Sequence, residues 1–301
     1  MDIALVGCGL WGRNILRELA FLNAHALVID PNRDARTYAE QNGATQTFSD
    51  LDSLPTVDGF ILSTPASQHA QQIESLLARN TPIFTEKPFV LNLEDAIRLK
   101  SIGAGKVFVM HVWRYHPVVQ QLKEMITTNQ LGALELIRTR RCNWTSPRKD
   151  VDPIWTLLPH DISIITELTG AVPNPVSAIP EYCSNKPVGL IAHTEATCPC
   201  ISEVSTRYPD KIREIRVHGS DGIATLLQDG NELTLHWGDI NTEQARSESV
   251  MVDGEPALRA EVRAFLDFLQ GGEAPRTELD QAVEITRCLT KLRSMAGLAN
   301  E

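Results

Sequence analysis

The first part of the chain alternates short strand-like runs with segments whose apolar residues recur at helical spacing. The predicted strands lie at 2–6, 26–29, 45–48, 59–62, 82–84 and 107–110, and the predicted helices at 13–22, 33–41, 67–79 and 93–101. Short buried strands that alternate with amphipathic helices are typical of a parallel sheet with helices on both faces. The pattern predicts a doubly wound α/β domain over residues 1–119, with Ser67 capping the third helix.

From residue 120 onward the pattern changes to strands with a period of two. Alternating segments lie at 133–143, 188–197, 201–207, 211–218, 223–227 and 232–236, and a helical segment at 154–168 interrupts them. Two further segments, 257–269 and 279–296, have helical spacing. This order predicts a second, α+β domain over residues 120–301, built on a mainly antiparallel sheet.

The first apolar run leads directly into a glycine-rich turn, Gly7-Cys8-Gly9-Leu10-Trp11-Gly12. In a strand-turn-helix unit, Gly7 permits the tight turn, Gly9 lets the backbone approach a pyrophosphate, and Gly12 allows close helix packing. The second strand ends in Asp30, 18 residues past Gly12, where a carboxylate would accept hydrogen bonds from a ribose diol. The combination predicts a Rossmann domain that binds a dinucleotide through this turn, including Leu10 and Trp11.

The cofactor expected from this pattern is NAD. Asp30 would repel the 2′-phosphate of NADP, although Arg33 could offset part of that repulsion, so NADP is the less favoured alternative. Thr64 and Pro65 follow the fourth strand and should line the cofactor crevice, because ligands of open parallel sheets lie beyond the carboxyl ends of the strands. His69 comes shortly after them and by itself reads as an ordinary residue on a helix face.

Glu86-Lys87-Pro88 follows the fifth strand. Taken alone, this tripeptide is typical of a loop with two solvated charges. Its position at the carboxyl end of a strand in a dinucleotide fold instead favours a catalytic Lys87. A lysine beside a cationic nicotinamide ring should give up its proton readily, and it could then accept a proton from a substrate.

Composition excludes several classes of protein. The net charge of −10 argues against nucleic acid or an anionic membrane as a partner. No run approaches the ~18 apolar residues of a membrane span, and no basic stretch precedes the first apolar run, so we expect a cytoplasmic protein. Cys198-Pro199-Cys200 with His193 resembles half of a zinc site, but no second pair stands at ligand spacing, so we expect no metal.

Basic residues form two clusters in the second domain. One contains Arg138, Arg140, Arg141, Arg148 and Lys149, and the other contains Lys211, Arg213 and Arg216. They can be solvated strand faces, or they can form a pocket for a carboxylate or diphosphate, which the arginine fork fits well.

Several motifs together resemble the Gfo/Idh/MocA oxidoreductase family. They are the glycine turn with Arg13-Asn14, Thr64-Pro65 with His69, Glu86-Lys87-Pro88, Arg114-Tyr115-His116-Pro117 and the stretch from Trp155 to Asp161. The sequence is most similar to the branch that contains the UDP-N-acetylglucosamine and UDP-N-acetylglucosaminuronate 3-dehydrogenases. Arg141-Cys142-Asn143 and Trp155-Thr156-Leu157-Leu158-Pro159-His160-Asp161 carry that closer resemblance.

The resemblance implies a function for each domain. The first would bind NAD, and the second would bind an anionic sugar nucleotide and form a homodimer or homotetramer through its sheet. A sugar hydroxyl would lose its hydride to nicotinamide and its proton to Lys87, with His160 as the partner of Lys87. Implied cofactor residues also include His69, Glu86, Lys87 and Arg114; implied substrate residues are Lys87, Arg114, Tyr115, Arg141, Asn143, Trp155, Thr156 and His160.

The sequence departs from the family pattern at Thr156, where the family normally has aspartate four residues before the histidine. Threonine cannot favour a protonated His160 as a negative charge would. Three hypotheses remain: Lys87 and His160 work alone, another acid such as Asp152 substitutes, or turnover has been lost and the protein is a cofactor-binding sensor. A further alternative keeps the fold and changes the substrate to a polyol, amino acid or imine, with NADP(H).

Overall fold

The computed structural model describes residues 1–144, 151–238 and 245–298. The chain divides into two compact units, Met1–His111 with Leu258–Thr286, and Val112–Ala257 with Arg287–Glu301. This division differs from the expected boundary between residues 119 and 120. The chain leaves the first unit at His111, and a later segment returns to it.

The first unit contains a parallel sheet of six strands. The strands are β1 (Asp2–Val6), β2 (His25–Ile29), β3 (Ala44–Phe48), β4 (Gly59–Leu62), β5 (Ile83–Glu86) and β6 (Val107–Met110). The helices are α1 (Leu10–Phe21), α2 (Arg33–Gln41), α3 (Ala66–Leu77) and α4 (Leu93–Gly103). The strand order, β3-β2-β1-β4-β5-β6, confirms the predicted Rossmann domain. The order reverses between β1 and β4, so a ligand is expected at the carboxyl ends of these strands.

Burial explains which strands were easy to predict. Every residue of β4, β5 and β6 is buried, which is why these strands read as continuous apolar runs. β3 lies at the sheet edge, and its Thr45 and Gln46 are exposed.

Two helix starts differ from expectation. α1 begins at Leu10, earlier than predicted, because Gly9 takes the N-cap position and the turn runs directly into the helix. α3 begins at Ala66 with Pro65 at its N-cap and has no side-chain cap, so the prediction that Ser67 caps it is wrong. A proline suits this place because its ring fixes φ and the helix start needs no N–H from it.

The second unit is built on an eight-stranded sheet. The strands are β7 (Leu134–Trp144), β8 (Asn174–Cys183), β9 (Lys186–Glu195), β10 (Pro199–Ser205), β11 (Arg207–Gly219), β12 (Gly222–Leu227), β13 (Glu232–Trp237) and β14 (Arg246–Met251). Their order is β14-β13-β12-β11-β7-β10-β9-β8, and only β7 and β10 pair in parallel, so the mainly antiparallel sheet is confirmed. A 3₁₀ turn (Val112–Tyr115) leads into α5 (Pro117–Thr127), and α6 (Pro153–Thr169) follows β7.

One face of this sheet packs against α5 and α6. Its core includes Ile137 and Val217 from the sheet, Leu122 from α5 and Ile164 from α6. Two strands escaped the sequence prediction for identifiable reasons. β8 contains two prolines, and all residues of β14 are exposed, so neither shows a clear apolar alternation.

Two helices complete the chain, α7 (Ala257–Leu269) and α8 (Leu279–Met295). Phe265 of α7 stacks on Phe84 of β5 with ring centroids 5.0 Å apart, within the core that also contains Ile3. After α7, the Thr277 carbonyl accepts the Val109 N–H at 3.0 Å. These contacts explain why residues 258–286 belong to the first unit. Across the three described ranges, no helix is both long enough and apolar enough to cross a membrane.

Candidate active site

The turn between β1 and α1 contains glycines of two kinds. Gly7 has a φ of 92°, and a Cβ atom there would lie 2.7 Å from the Ser63 carbonyl oxygen. A Cβ on Gly12 would overlap the Gly7 carbonyl oxygen. A Cβ on Gly9, by contrast, would meet no atom within 4 Å. The fold therefore requires Gly7 and Gly12, whereas Gly9 borders open space at the N-terminus of α1, where an anion is favoured.

Asp30 joins this turn to the end of β2. Its Oδ2 accepts the Cys8 N–H at 2.8 Å, and its Oδ1 accepts the Asn32 N–H at 2.8 Å. The residue is 9% exposed. A carboxylate has about four acceptor sites, so it can accept further hydrogen bonds beside these two. This geometry is compatible with the predicted ribose contact.

His69 connects the loop after β4 with the loop after β5. Its Nδ1 lies 2.9 Å from the Pro88 carbonyl oxygen and 3.2 Å from that of Phe89, and its Nε2 lies 3.1 Å from the Thr64 carbonyl oxygen. The residue is 1% exposed. His69 thus stabilises the backbone around Lys87, which is a structural task, and nothing in these contacts makes it a cofactor ligand. Beside it, the Thr64 hydroxyl donates to Gln72 Oε1 at 2.5 Å.

Glu86 is the last residue of β5, and Lys87 follows at the carboxyl end of the strand. Glu86 is 8% exposed. Its Oε1 accepts the indole N–H of Trp11, and its Oε2 accepts the Lys87 N–H at 3.1 Å. The Lys87-Pro88 peptide bond is cis. The glycine turn, Asp30 and Glu86 therefore meet the requirements of a dinucleotide site from three strands of one sheet.

In the second unit, α6 carries three predicted site residues, Trp155, Thr156 and His160. The N-cap residue Asp152 accepts the N–H groups of Ile154 and Trp155 at 3.0 and 3.1 Å. The Thr156 hydroxyl donates to the Asp152 carbonyl oxygen at 3.0 Å. Thr156 and His160 are both partly exposed, whereas Trp155 is 1% exposed. Trp155 is therefore a core residue beneath the first turn of the helix.

The two acids near the ends of this segment both have arginine partners. Besides capping α6, Asp152 forms an ion pair with Arg293 of α8. Asp161 is fully buried, and it accepts from Arg141 Nε at 3.2 Å and Nη2 at 3.4 Å. Burial raises the pKa of Asp161, while Arg141 acts in the opposite direction. The hypothesis that Asp152 substitutes for the acid finds no support in these contacts.

Arg114 is held inside the second unit. Its Nε donates to Glu167 Oε2 at 2.7 Å, and Lys123 contacts Glu167 Oε1 at 2.8 Å. Gln120 donates both to the Arg114 carbonyl and to Glu167. Burial acts to raise the pKa of Glu167, but its cationic and amide partners lower it to about 2. Tyr115, the next residue, is half-buried at the end of the 3₁₀ turn.

Arg141 and Asn143 lie near one another on β7 but differ in environment. Arg141 is 4% exposed, with its guanidinium 4.6 Å from the Trp113 ring centroid. Asn143 is half-buried, and its Oδ1 accepts from Arg213 Nη2 at 3.3 Å. Arg141 thus organises α6 against the sheet, while Asn143 and Arg213 form a separate polar pair.

The two predicted basic clusters are divided by the alternation of the strands. Arg138 pairs in register with Arg216, and Arg141 pairs with Arg213, so these two pairs lie on opposite faces of the sheet. Arg148 and Lys149 lie outside the described residues. The described arginines of the two clusters therefore do not share one face of the sheet.

The pairing of β9 with β10 separates the two cysteines from the nearby histidine. Cys198 and Cys200 are buried in the core beneath α6. His193 pairs with Ile201, the neighbour of Cys200, and so faces the opposite side of the sheet. Within the described ranges, no group of three or more metal-binding side chains occurs.

Comparison with known proteins identifies the family of the N-terminal domain. Residues 1–113 match the family model GFO_IDH_MocA, described as an oxidoreductase family with an NAD-binding Rossmann fold. Over these residues the chain has the NAD-binding Rossmann domain of the Gfo/Idh/MocA oxidoreductase family. It is an NAD(P)-dependent oxidoreductase acting on a CH–OH group.

Curated relatives align over most of the chain, and two of them are described next. UDP-N-acetylglucosamine 3-dehydrogenase of Acidithiobacillus ferrooxidans is 25% identical over 283 residues, covering 89% of this chain and 88% of the relative. Inositol 2-dehydrogenase of Rhizobium meliloti is 23% identical over 281 residues, covering 82% and 85%. A solved structure of UDP-N-acetylglucosamine 3-dehydrogenase GnnA from Acidithiobacillus ferrooxidans has the same fold, with a TM-score of 0.86, 23% identity and coverage of 98% and 97%.

Three residues that support the candidate site have no sequence motif of their own. Glu167 holds Arg114, Arg293 holds Asp152, and Asp161 holds Arg141. The first two act across 53 and 141 residues of sequence, so no local motif marks them. A buried acid within a helix was the one available signal for Glu167 and Asp161, because such a charge requires a partner.

Proposed function

We propose that this protein is an NAD-dependent dehydrogenase that oxidises C3 of a UDP-linked N-acetyl sugar or its uronate. The observation that carries the proposal is the placement of Lys87 at the carboxyl end of β5, directly after Glu86, whose carboxylate is bonded to the glycine turn. The full-length similarity to a UDP-N-acetylglucosamine 3-dehydrogenase supports the choice of substrate.

In this proposal each residue has one task. Bound nicotinamide supplies the hydride acceptor. Lys87 accepts the proton of the reacting hydroxyl, so the carbinol carbon becomes a carbonyl as its hydride leaves. His160 donates or accepts a hydrogen bond at the same hydroxyl oxygen, and Glu86 orients the nicotinamide ribose. Lys87 and His160 perform this work without a helix acid, because Asp152 and Asp161 are already paired.

We assign residues of the second unit to the substrate according to their solvent exposure. Tyr115, Asn143, Thr156 and His160 are all partly exposed and can contact it directly. Arg141 and Trp155 are buried, so we assign them to support of β7 and α6. Arg114 is 6% exposed and held by Glu167, which fixes its guanidinium for an anionic group of the substrate or cofactor.

The proposal is tested by mixing purified protein with NAD and either UDP-N-acetylglucosamine or its uronate, and by following NADH absorbance. We expect turnover that Lys87→Ala lowers by at least about 100-fold, as loss of a general base does. Lys100→Ala is the matched control, since Lys100 is an exposed lysine of α4 paired with Asp280. Absence of NADH with both sugars, or full activity of Lys87→Ala, would refute the assignment.

A polyol substrate is the second candidate, and the inositol 2-dehydrogenase relative favours it. Parallel assays with myo-inositol and with NADP distinguish it from the first. Faster oxidation of myo-inositol than of either UDP-sugar would favour the polyol. The sensor hypothesis is tested with Thr156→Asp. Turnover by this variant, where the native protein has none, would support the sensor hypothesis, and fast turnover by the native protein would refute it.

We also propose a homodimer or homotetramer formed through the outer face of the eight-stranded sheet. The register places Ile179, Ile191, Glu203, Arg140, Glu214 and Leu227 in one row across six strands. Arg140 is paired with both acids of this row, and its three apolar members are exposed. This row faces away from the core that contains Ile137 and Val217. Light scattering of the native protein and of Ile191→Asp tests the proposal. The native protein should be a dimer or tetramer and the variant should dissociate, whereas a monomeric native protein would refute the proposal.

A further inference from the structure

Trp11 occupies a position that the glycine motif leaves unspecified. In a Gly-x-Gly-x-x-Gly turn the backbone serves the pyrophosphate, so any side chain can stand at the x positions. Here the residue is a tryptophan that is 41% exposed, and its indole N–H donates to Glu86 Oε1. A large aromatic side chain on the surface with a specific buried acceptor calls for an explanation beyond packing.

The strand order shows how far this hydrogen bond reaches. Trp11 follows β1 and Glu86 ends β5, while β4 lies between these two strands. Neighbouring strands are about 4.8 Å apart, so the hydrogen-bonded side chains of Trp11 and Glu86 together bridge roughly 10 Å at the carboxyl end of β4. The strand order reverses between β1 and β4, which is where open sheets bind their ligands. The Trp11–Glu86 hydrogen bond therefore lies at the edge of the sheet where a dinucleotide is expected.

The hydrogen bond also restricts Glu86. Its Oε1 is bonded to the indole and its Oε2 to the Lys87 N–H, so rotation of the carboxylate would break both contacts. The second of these bonds involves the backbone of the candidate catalytic residue. A side chain of the glycine turn thus fixes an acid of the strand that ends beside Lys87.

We propose that Trp11 is a positioning residue for the cofactor: its indole N–H orients the Glu86 carboxylate toward the nicotinamide half of NAD. Phenylalanine would preserve the aromatic surface but could not donate this hydrogen bond. The role of Glu86 toward the nicotinamide ribose rests on the proposed function. The binding of NAD to this unit stands independently, so cofactor affinity can be measured without any sugar.

The test is a double-mutant cycle read out as the dissociation constant of NADH, followed by its own fluorescence. Loss of a hydrogen bond to a charged acceptor corresponds to a change of at least about tenfold in a dissociation constant. We therefore expect Trp11→Phe to weaken NADH binding by at least about tenfold. In a Glu86→Gln background, the same change should weaken binding by less than about threefold, since the charge that strengthens the bond is gone.

Two controls separate this role from general damage. Trp144→Phe changes an exposed tryptophan of the second unit and should leave NADH affinity at the native value. Trp11→Phe should keep the native circular dichroism spectrum at the assay temperature, although loss of a hydrogen bond to the buried Glu86 carboxylate should lower its urea midpoint. Native NADH affinity in Trp11→Phe would overturn the proposal, and so would equal effects in the two Glu86 backgrounds. A protein that failed to oxidise any UDP-sugar would still give both affinities, so the two failures are distinguishable.

Discussion

The buried carboxylate of Glu167 allows a quantitative prediction about the stability of the second unit. Its side chain is 1% exposed, with Arg114 at 2.7 Å and Lys123 at 2.8 Å. Burial opposes ionisation, yet these partners and Gln120 lower the pKa from 4.5 to about 2. A carboxyl group with this difference between its unfolded and folded states contributes about 3 kcal/mol to the free energy of unfolding at neutral pH.

Replacement by glutamine preserves the shape of the side chain and removes its charge. Glu167→Gln should therefore lower the free energy of unfolding by about 3 kcal/mol, since Arg114 loses its buried counter-charge as well. Urea unfolding can be followed by tryptophan fluorescence, because Trp113 and Trp155 are buried within this unit. For a urea dependence of 1–3 kcal/mol per molar, the midpoint should fall by roughly 1–3 M.

The control and the pH dependence make this prediction refutable. Glu124→Gln changes an exposed glutamate of the adjacent α5 and should shift the midpoint by little. The folded-state pKa of Glu167 is depressed, so its contribution is complete above pH 4.5 and is lost as pH falls toward about 2. The gap between native protein and variant should narrow over that interval. A midpoint equal to that of Glu124→Gln, or a gap independent of pH, would refute the electrostatic account.

Three further predictions follow from the site geometry. Gly9→Ala should retain the native urea midpoint but weaken NADH binding about tenfold, whereas Gly7→Ala should lower the midpoint, because its Cβ meets the protein itself. Arg293→Met should raise the KM for the oxidised substrate without changing the dissociation constant of NADH, since Arg293 contacts Asp152 at the start of α6; equal effects on both constants would contradict this. Burial lowers the pKa of His116, and Asp229 acts in the opposite direction. Below about pH 6.5 the unfolded chain therefore binds more protons than the folded one, so the free energy of unfolding should fall as the pH decreases. Urea midpoints of His116→Gln should lack this part of the pH dependence.

The cofactor half of the site could be predicted from sequence because its determinants are local. Gly7, Gly9, Gly12 and Asp30 fall within one strand-turn-helix-strand unit, where spacing alone fixes their placement. The position of Lys87 can also be predicted, because it lies directly after a strand with a clear apolar pattern. These contacts need no knowledge of distant partners.

The remainder depends on pairings that spacing does not encode. Alternation along β7 predicts that Arg140 and Arg141 face opposite ways, but only the fold shows that Arg141 meets Asp161. Trp155 looked like a substrate residue because of its motif, yet it is buried. The edge strands β8 and β14 lack an apolar period because one or both of their faces are exposed to solvent. The Trp11 and Glu86 contact spans 75 residues of sequence.

The return of residues 258–286 to the first unit has a consequence for biosynthesis. During translation, the ribosome releases β1 to β6 long before it makes α7, whose Phe265 stacks on Phe84 of the central sheet. Until then, the sheet face that receives Val262, Phe265 and Leu266 exposes apolar surface to solvent. A fragment that stops at His111 should therefore aggregate when expressed alone, and the nascent chain is a natural client for a chaperone that shields this face while the second unit is being synthesised.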